Sequence, residues 1–149
     1  MKALAVDLDG ALGDTRPLWR AWLDDAARRS RVELTVPQDR GEAAVVLDGL
    51  IANWRALLER FAEDHAPVYL RPNADATAAL RRLQAADVRV GVFTDAPEEL
   101  VTVALAHLGA ARRVDAIEAG ADALDRLRAR LGDHLAIVRT AEELTRAAS

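Results

Sequence analysis

The sequence predicts an α/β domain: a doubly wound parallel sheet of about four strands, with a small helical cap inserted after the first strand. Three observations carry this expectation. Short apolar runs alternate with segments of helical periodicity through the second half of the chain. The first apolar run, Ala3 to Leu8, ends among acidic residues just before Gly10, as a buried parallel strand does. About 80 residues separate that run from the second, far more than one crossover helix needs. The excess reads as helix, so residues 1–13 and 71–149 are assigned to the core and 14–70 to the cap.

The elements follow in order. After the first strand, Pro17 to Arg31 reads as a helix: Pro17 suits a first-turn position, and Leu18, Trp22, Ala26 and Arg29 recur at helical spacing. Val32 to Val36 is a break. Pro37 to about His65 is largely helical, with Val45, Val46, Leu50, Trp54, Leu57, Leu58 and Phe61 on one side and Gly41 and Gly49 as candidate division points. Pro67 to Pro72 reads as a connector, and Ala74 to Ala86 as a helix with Leu80 and Leu83 inward. The second strand is Val88 to Phe93, ending at Thr94-Asp95. A helix from Pro97 to Leu108 closes at Gly109. Val114 to Ile117 is a third strand, Ala121 to Leu131 a helix closed by Gly132, and Leu135 to Val138 a fourth strand. Thr140 to Ala147 is a terminal helix with Thr140 as N-cap and Glu143 as its capping-box partner. The fourth strand is then a sheet edge, open to pairing with a second copy of the chain as a homodimer.

Composition bounds the function. Apolar residues make up 51% of 149, enough for a packed core. The net charge of -4 argues against a nucleic-acid binder. The arginine clusters at 28–31 and 126–130 have acidic neighbours and read as solvated helix faces. There is no cysteine, which excludes disulfides and a thiolate nucleophile. No apolar stretch is long enough to span a bilayer and no secretory segment is read, so a cytoplasmic location is expected. Trp19, Trp22 and Trp54 are expected to pack the cap helices. His65, His107 and His134 have no metal-ligand spacing, and Arg55 and Arg71 read as surface residues.

In open α/β sheets, ligands sit beyond the carboxyl ends of strands, which is where Asp7 and Asp9 lie. Strand alternation would turn both side chains to one side, with Leu8 into the core. Two carboxylates facing one pocket repel, and a cation or a phosphoryl-transfer reaction relieves that repulsion. One carboxylate can attack phosphorus while the other moves a proton. An isolated Asp-x-Asp pair is more often a set of capping or loop carboxylates.

The surroundings favour chemistry. The segment Val6-Asp7-Leu8-Asp9-Gly10-Ala11-Leu12-Gly13-Asp14 resembles the first motif of the haloacid-dehalogenase (HAD) phosphohydrolases, and Val90-Gly91-Val92-Phe93-Thr94-Asp95 resembles the second. Arg71-Pro72-Asn73 before the second strand and the run from Pro97 through Ile117 are also similar to that family. The resemblance implies Asp7 as nucleophile, Asp9 as general acid/base, and Thr94 as a hydrogen-bond partner of the transferring phosphoryl group. It further implies Mg²⁺ held by Asp7 and Asp9 and a small phosphorylated molecule as substrate; Gly10 and, where the chain departs from the family, Asp95 and Arg139 are the candidate substrate contacts.

Two parts of the family pattern are absent. The lysine between the third strand and the next helix is missing, and the chain runs Ile117-Glu118-Ala119-Gly120-Ala121 almost directly into the helix. Lys2, the single lysine, lies roughly 16 Å from Asp7 at the wrong end of the first strand. The acidic pair after the fourth strand is replaced by Arg139-Thr140, so Asp7 and Asp9 alone make a weak Mg²⁺ site. Arg139 either pairs with Asp7 or lies on the surface; Glu142 and Glu143 either reach the site or cap the last helix. Two functions follow: a weak Mg²⁺-dependent phosphatase, or a degenerate relative that binds a phosphorylated ligand or a protein partner.

Overall fold

In the computed structural model, which describes residues 2–149, four parallel strands form one sheet in the order β3-β2-β1-β4. They are β1 Ala3–Asp7, β2 Arg89–Thr94, β3 Ala116–Ala119 and β4 Ala136–Val138. The helices are α1 Arg16–Ser30, α2 Arg40–Leu50, α3 Trp54–Tyr69, α4 Ala74–Ala85, α5 Glu98–His107, α6 Ala123–Leu131 and α7 Ala141–Ala147. Val6 pairs with Val92 on one side and Val138 on the other, which centres β1 and sets Asp7 beside Phe93.

Helices cover both faces, as a doubly wound sheet requires. Leu4, Val6, Val90, Val92 and Val138 pack with α4, α5 and α7, whereas Ala5, Phe93 and Ala116 pack with Leu127 of α6. At the edge, β4 spans three residues and offers only a short ladder to a second copy.

Several boundaries differ from expectation for local reasons. Gly49 does not divide the second helical stretch; the division falls at residues 51–53, where Asn53 takes a left-handed conformation with φ 59°. Pro67 lies inside α3 rather than in a connector. Its ring forgoes one backbone bond, and the helix still closes with Leu70 N–H donating to the Ala66 carbonyl at 2.8 Å. β3 starts at Ala116, after Asp115, whose backbone N–H donates to the Val90 carbonyl at 2.7 Å and whose carboxylate accepts the Val90 N–H at 2.8 Å. The Thr140 cap is present, its hydroxyl accepting the Glu143 N–H at 3.1 Å.

In chain order α1–α3 stand between β1 and α4, but they do not build a core of their own. Trp22, Leu47 and Leu58 belong to the same continuous buried cluster as Leu80, Val92 and Leu105, and α3 packs along α5. The three tryptophans meet in that cluster, with ring centroids of Trp22 5.4 Å from Trp19 and 5.9 Å from Trp54. The arginine clusters are paired on the surface, Arg29 with Asp25 and Arg126 and Arg130 with Glu118. Among the described residues no helix is long and apolar enough to cross a membrane.

Candidate active site

β1 ends at Asp7, and the chain turns at once. Residues 8–12 form a wide turn kinked at Asp9 and Gly10, whose dihedrals are not helical; Gly13 N–H donates to the Leu8 carbonyl at 3.1 Å and Gly10 N–H to the Gly13 carbonyl at 2.7 Å. Gly10 sits at φ 117°, and a Cβ there would meet the Arg139 carbonyl oxygen at 2.5 Å, so only glycine fits. The turn buries Leu8 completely and brings Asp9 beside Asp7 on the wall of one cavity. Strand alternation is therefore not what aligns the pair. The strand has ended, and Asp9 faces the site because of the turn.

Asp7 Oδ1 accepts the Asp9 N–H at 3.2 Å, and Oδ2 lies 3.3 Å from Arg139 Nη1. Arg139 thus pairs with Asp7, although 55% of its side chain stays exposed. Burial and the neighbouring charge of Asp9 push the Asp7 pKa up, and Arg139 opposes the rise. Between the ordinary carboxylate pKa and the raised one, the folded state holds a proton at Asp7 that the unfolded chain has lost, so ionising Asp7 weakens folding as pH rises through its folded pKa. Asp7→Asn is expected to unfold at a higher temperature than the wild type near neutral pH, with the difference vanishing below the ordinary carboxylate pKa of about 3.9. Melting curves across that range check it; a variant less stable at neutral pH would contradict it.

Asp9 is held from four sides. Its Oδ1 accepts the Thr15 N–H and the Thr15 hydroxyl, both at 2.7 Å. Its Oδ2 accepts Arg40 Nη2 at 2.5 Å and the Thr94 hydroxyl at 2.9 Å. Thr94, buried at the end of β2, thus meets Asp9 as well as the cavity.

Arg40 and Thr15 escape sequence reasoning. Asp39 caps α2 by accepting the Glu42 N–H at 2.9 Å, and Arg40 follows as the first helical residue, only 2% exposed. Its Nε donates to Asp95 Oδ1 at 2.9 Å, its backbone N–H to Asp95 Oδ2 at 3.1 Å, and its Nη1 to the Thr15 hydroxyl at 2.7 Å. Asp95, expected beside substrate, is engaged by this guanidinium. The first turn of α2 lies so close to Ala121 that a Cβ on Gly41 would come within 2.8 Å of the Ala121 nitrogen. Asp39-Arg40-Gly41 did carry a signal: a helix-start aspartate followed by a glycine that weakens the first turn unless close packing requires it.

An open cavity of about 550 Å³ lies over these groups, walled by Asp7, Asp9, Arg40, Thr94 and Asp95, with Arg16 and Asp122 at its margin. Its donors fit a magnesium ion poorly. Among the described residues no three His, Cys, Asp or Glu side chains come together as a metal-holding group. Both Asp9 oxygens are taken, a guanidinium lies against Asp7, Glu143 serves the α7 cap and Glu142 is exposed. The other tempting residues lie elsewhere: His107 Nε2 meets the Leu70 carbonyl at 3.0 Å, His65 stacks on Phe61, and Arg55 pairs with Glu99 at 3.2 Å over Trp54.

No family model and no curated protein match the chain. Solved structures do. CbbY from Rhodobacter sphaeroides, in complex with phosphate, matches with a TM-score of 0.67 at 17% identity, over 93% of this chain and 85% of that one. A HAD phosphatase from Thermococcus onnurineus matches at 0.60 and 18% identity, over 100% and 83%. The HAD-hydrolase YfnB from Bacillus subtilis, bound to magnesium, matches at 0.54 and 15% identity, over 99% and 85%. With its parallel sheet and these likenesses, the chain adopts the fold of the haloacid-dehalogenase-type hydrolases.

Proposed function

We propose that this chain hydrolyses small phosphomonoesters through a covalent aspartyl-phosphate at Asp7. The position of Asp7 carries the reading: its carboxylate stands at the carboxyl end of the central strand, on the wall of the cavity, with a second carboxylate two residues on. That one neighbour of the same fold, CbbY, is solved in complex with phosphate and, as a mutant, with a sugar bisphosphate supports a phosphoryl ligand. Residues 14–70 serve as the cap over this site, and residues 1–13 and 71–149 as the core.

The chemistry runs in two displacements. An Asp7 oxygen attacks phosphorus as the ester P–O bond breaks, and Asp9 passes a proton to the leaving oxygen. Water then attacks the same phosphorus, the bond to Asp7 breaks, and Asp9 takes the proton released by water. One ester and one water give one alcohol and one phosphate. All four hydrogen-bonding positions on Asp9 are filled in this structure, so a donor must leave before Asp9 carries a proton. Thr94 is that donor: its hydroxyl rotates from Asp9 Oδ2 to a phosphoryl oxygen when substrate binds. Arg139 gives the phosphoryl group a cation at the strand end, and Gly10 contributes the turn rather than a direct contact.

Magnesium is held weakly at best, because the carboxylates it prefers are missing among the described residues. Hydrolysis of an aryl phosphate is the test. Asp7→Asn is expected to lose roughly 10³-fold or more in kcat, the scale of removing a covalent nucleophile. The wild type should show a phosphate adduct on acid quench that the variant lacks, and EDTA should slow turnover without abolishing it. Equal rates in wild type and variant would reject the proposal.

A further inference from the structure

A phosphoryl-transfer site built on paired carboxylates needs a cation, and here the buried one comes from the insert rather than from the sheet. Arg40 is enclosed with Asp9, their side chains 3% and 8% exposed, and it lies 2.8 Å from Asp95 as well. Asp9 follows β1 and Asp95 follows β2, so one guanidinium ties two strand ends to α2. Enclosing a charge this fully is tolerated only when its donors are matched. That condition is met, since no buried side-chain nitrogen or oxygen among the described residues lacks a partner. The planar fork is what makes the arrangement possible: Nε, Nη1 and Nη2 reach Asp95, Thr15 and Asp9 from one rigid group, which a single ammonium cannot do. Because all three nitrogens are engaged, Arg40 is placed to hold Asp9 rather than to grip a ligand.

We propose that Arg40 is a positioning residue: it fixes the Asp9 carboxylate and makes its orientation depend on the seating of α2 against the loop at Ala121. For its kinetic consequence the proposal rests on the hydrolytic reading above; its structural consequence stands without it. The close approach at Gly41 supports the coupling, since α2 cannot slide along that loop without moving Arg40.

Arg40→Met keeps the length of the side chain and removes its charge. The first readout is hydrogen exchange at the Thr15 amide, which donates to Asp9, compared with the Val92 amide in β2. Protection at Thr15 is expected to fall at least about tenfold while Val92 changes little. The second is aryl phosphate hydrolysis, where kcat is expected to fall roughly 10²-fold with KM nearly unchanged, the signature of a misplaced group. Arg40→Lys should recover little of either loss. Asp95→Asn, which keeps Arg40 but weakens its anchor, should move both readouts in the same direction by less, and it decides the matter if Arg40→Met does not fold. Unchanged Thr15 protection, unchanged kcat, or a raised KM at full kcat would each overturn the proposal. A wild type with no turnover at all would defeat the hydrolytic reading instead, leaving Thr15 exchange to decide whether Arg40 holds Asp9.

Discussion

Gly10→Ala is expected to cost the fold at least about 2–3 kcal/mol, through a forced left-handed backbone and an overfilled contact. The substituted carbon would lie 2.5 Å from the Arg139 carbonyl oxygen, and φ 117° is outside the range an alanine readily adopts. Either the turn after β1 opens or the end of β4 withdraws. In the first case Asp9 leaves Asp7; in the second Arg139 leaves Asp7, so function falls with stability either way. Urea denaturation of the two proteins measures the loss. A midpoint equal to that of the wild type would mean that the turn relaxes around a methyl group.

The second large effect is expected far from the carboxylates. Trp22→Ala should destabilise by roughly 3–5 kcal/mol, the cost of removing a large enclosed aromatic group. Trp22 is 1% exposed and packs against both Trp19 and Trp54. Since its cluster runs without interruption into Leu80 and Val92, the whole chain should lose stability together. Tryptophan fluorescence and far-UV circular dichroism should therefore report one coincident transition at a lower denaturant concentration. Two separated transitions, or a shift worth less than about 1 kcal/mol, would refute this.

What the sequence revealed follows from how far each interaction reaches along the chain. β1 and β2 announce themselves as apolar runs ending in polar residues, and the rule that ligands meet strand ends brings Asp7, Asp9 and Thr94 together from residues 85 or more positions apart. Arg139 was placed by the same rule. Strand alternation does not align Asp7 with Asp9, because a pleat alternates only while the strand lasts, and this one stops at Asp7. Arg40 was hidden for a different reason. Its partners lie 25, 31 and 55 positions away in sequence, and the one local hint of close packing is Gly41 in the first turn of its helix. Pro67 misled in the opposite sense: a helix can keep a proline near its end on an exposed face when the flanking turn is anchored, and here Ala66 and Leu70 are buried while Val68 and Tyr69 stay exposed.

The unbroken apolar cluster also governs how this architecture can be recombined. A segment joined to its host by two crossings of the chain looks like a cassette, ready to be exchanged for that of a relative. Residues 14–70 are not one, because α3 lies along α5 and Leu58 shares its surroundings with Leu105. A chimera that imports a foreign insert inherits a mismatched surface on α5 and must have that helix redesigned with it. In this molecule the unit of exchange is the insert together with the outer face of α5.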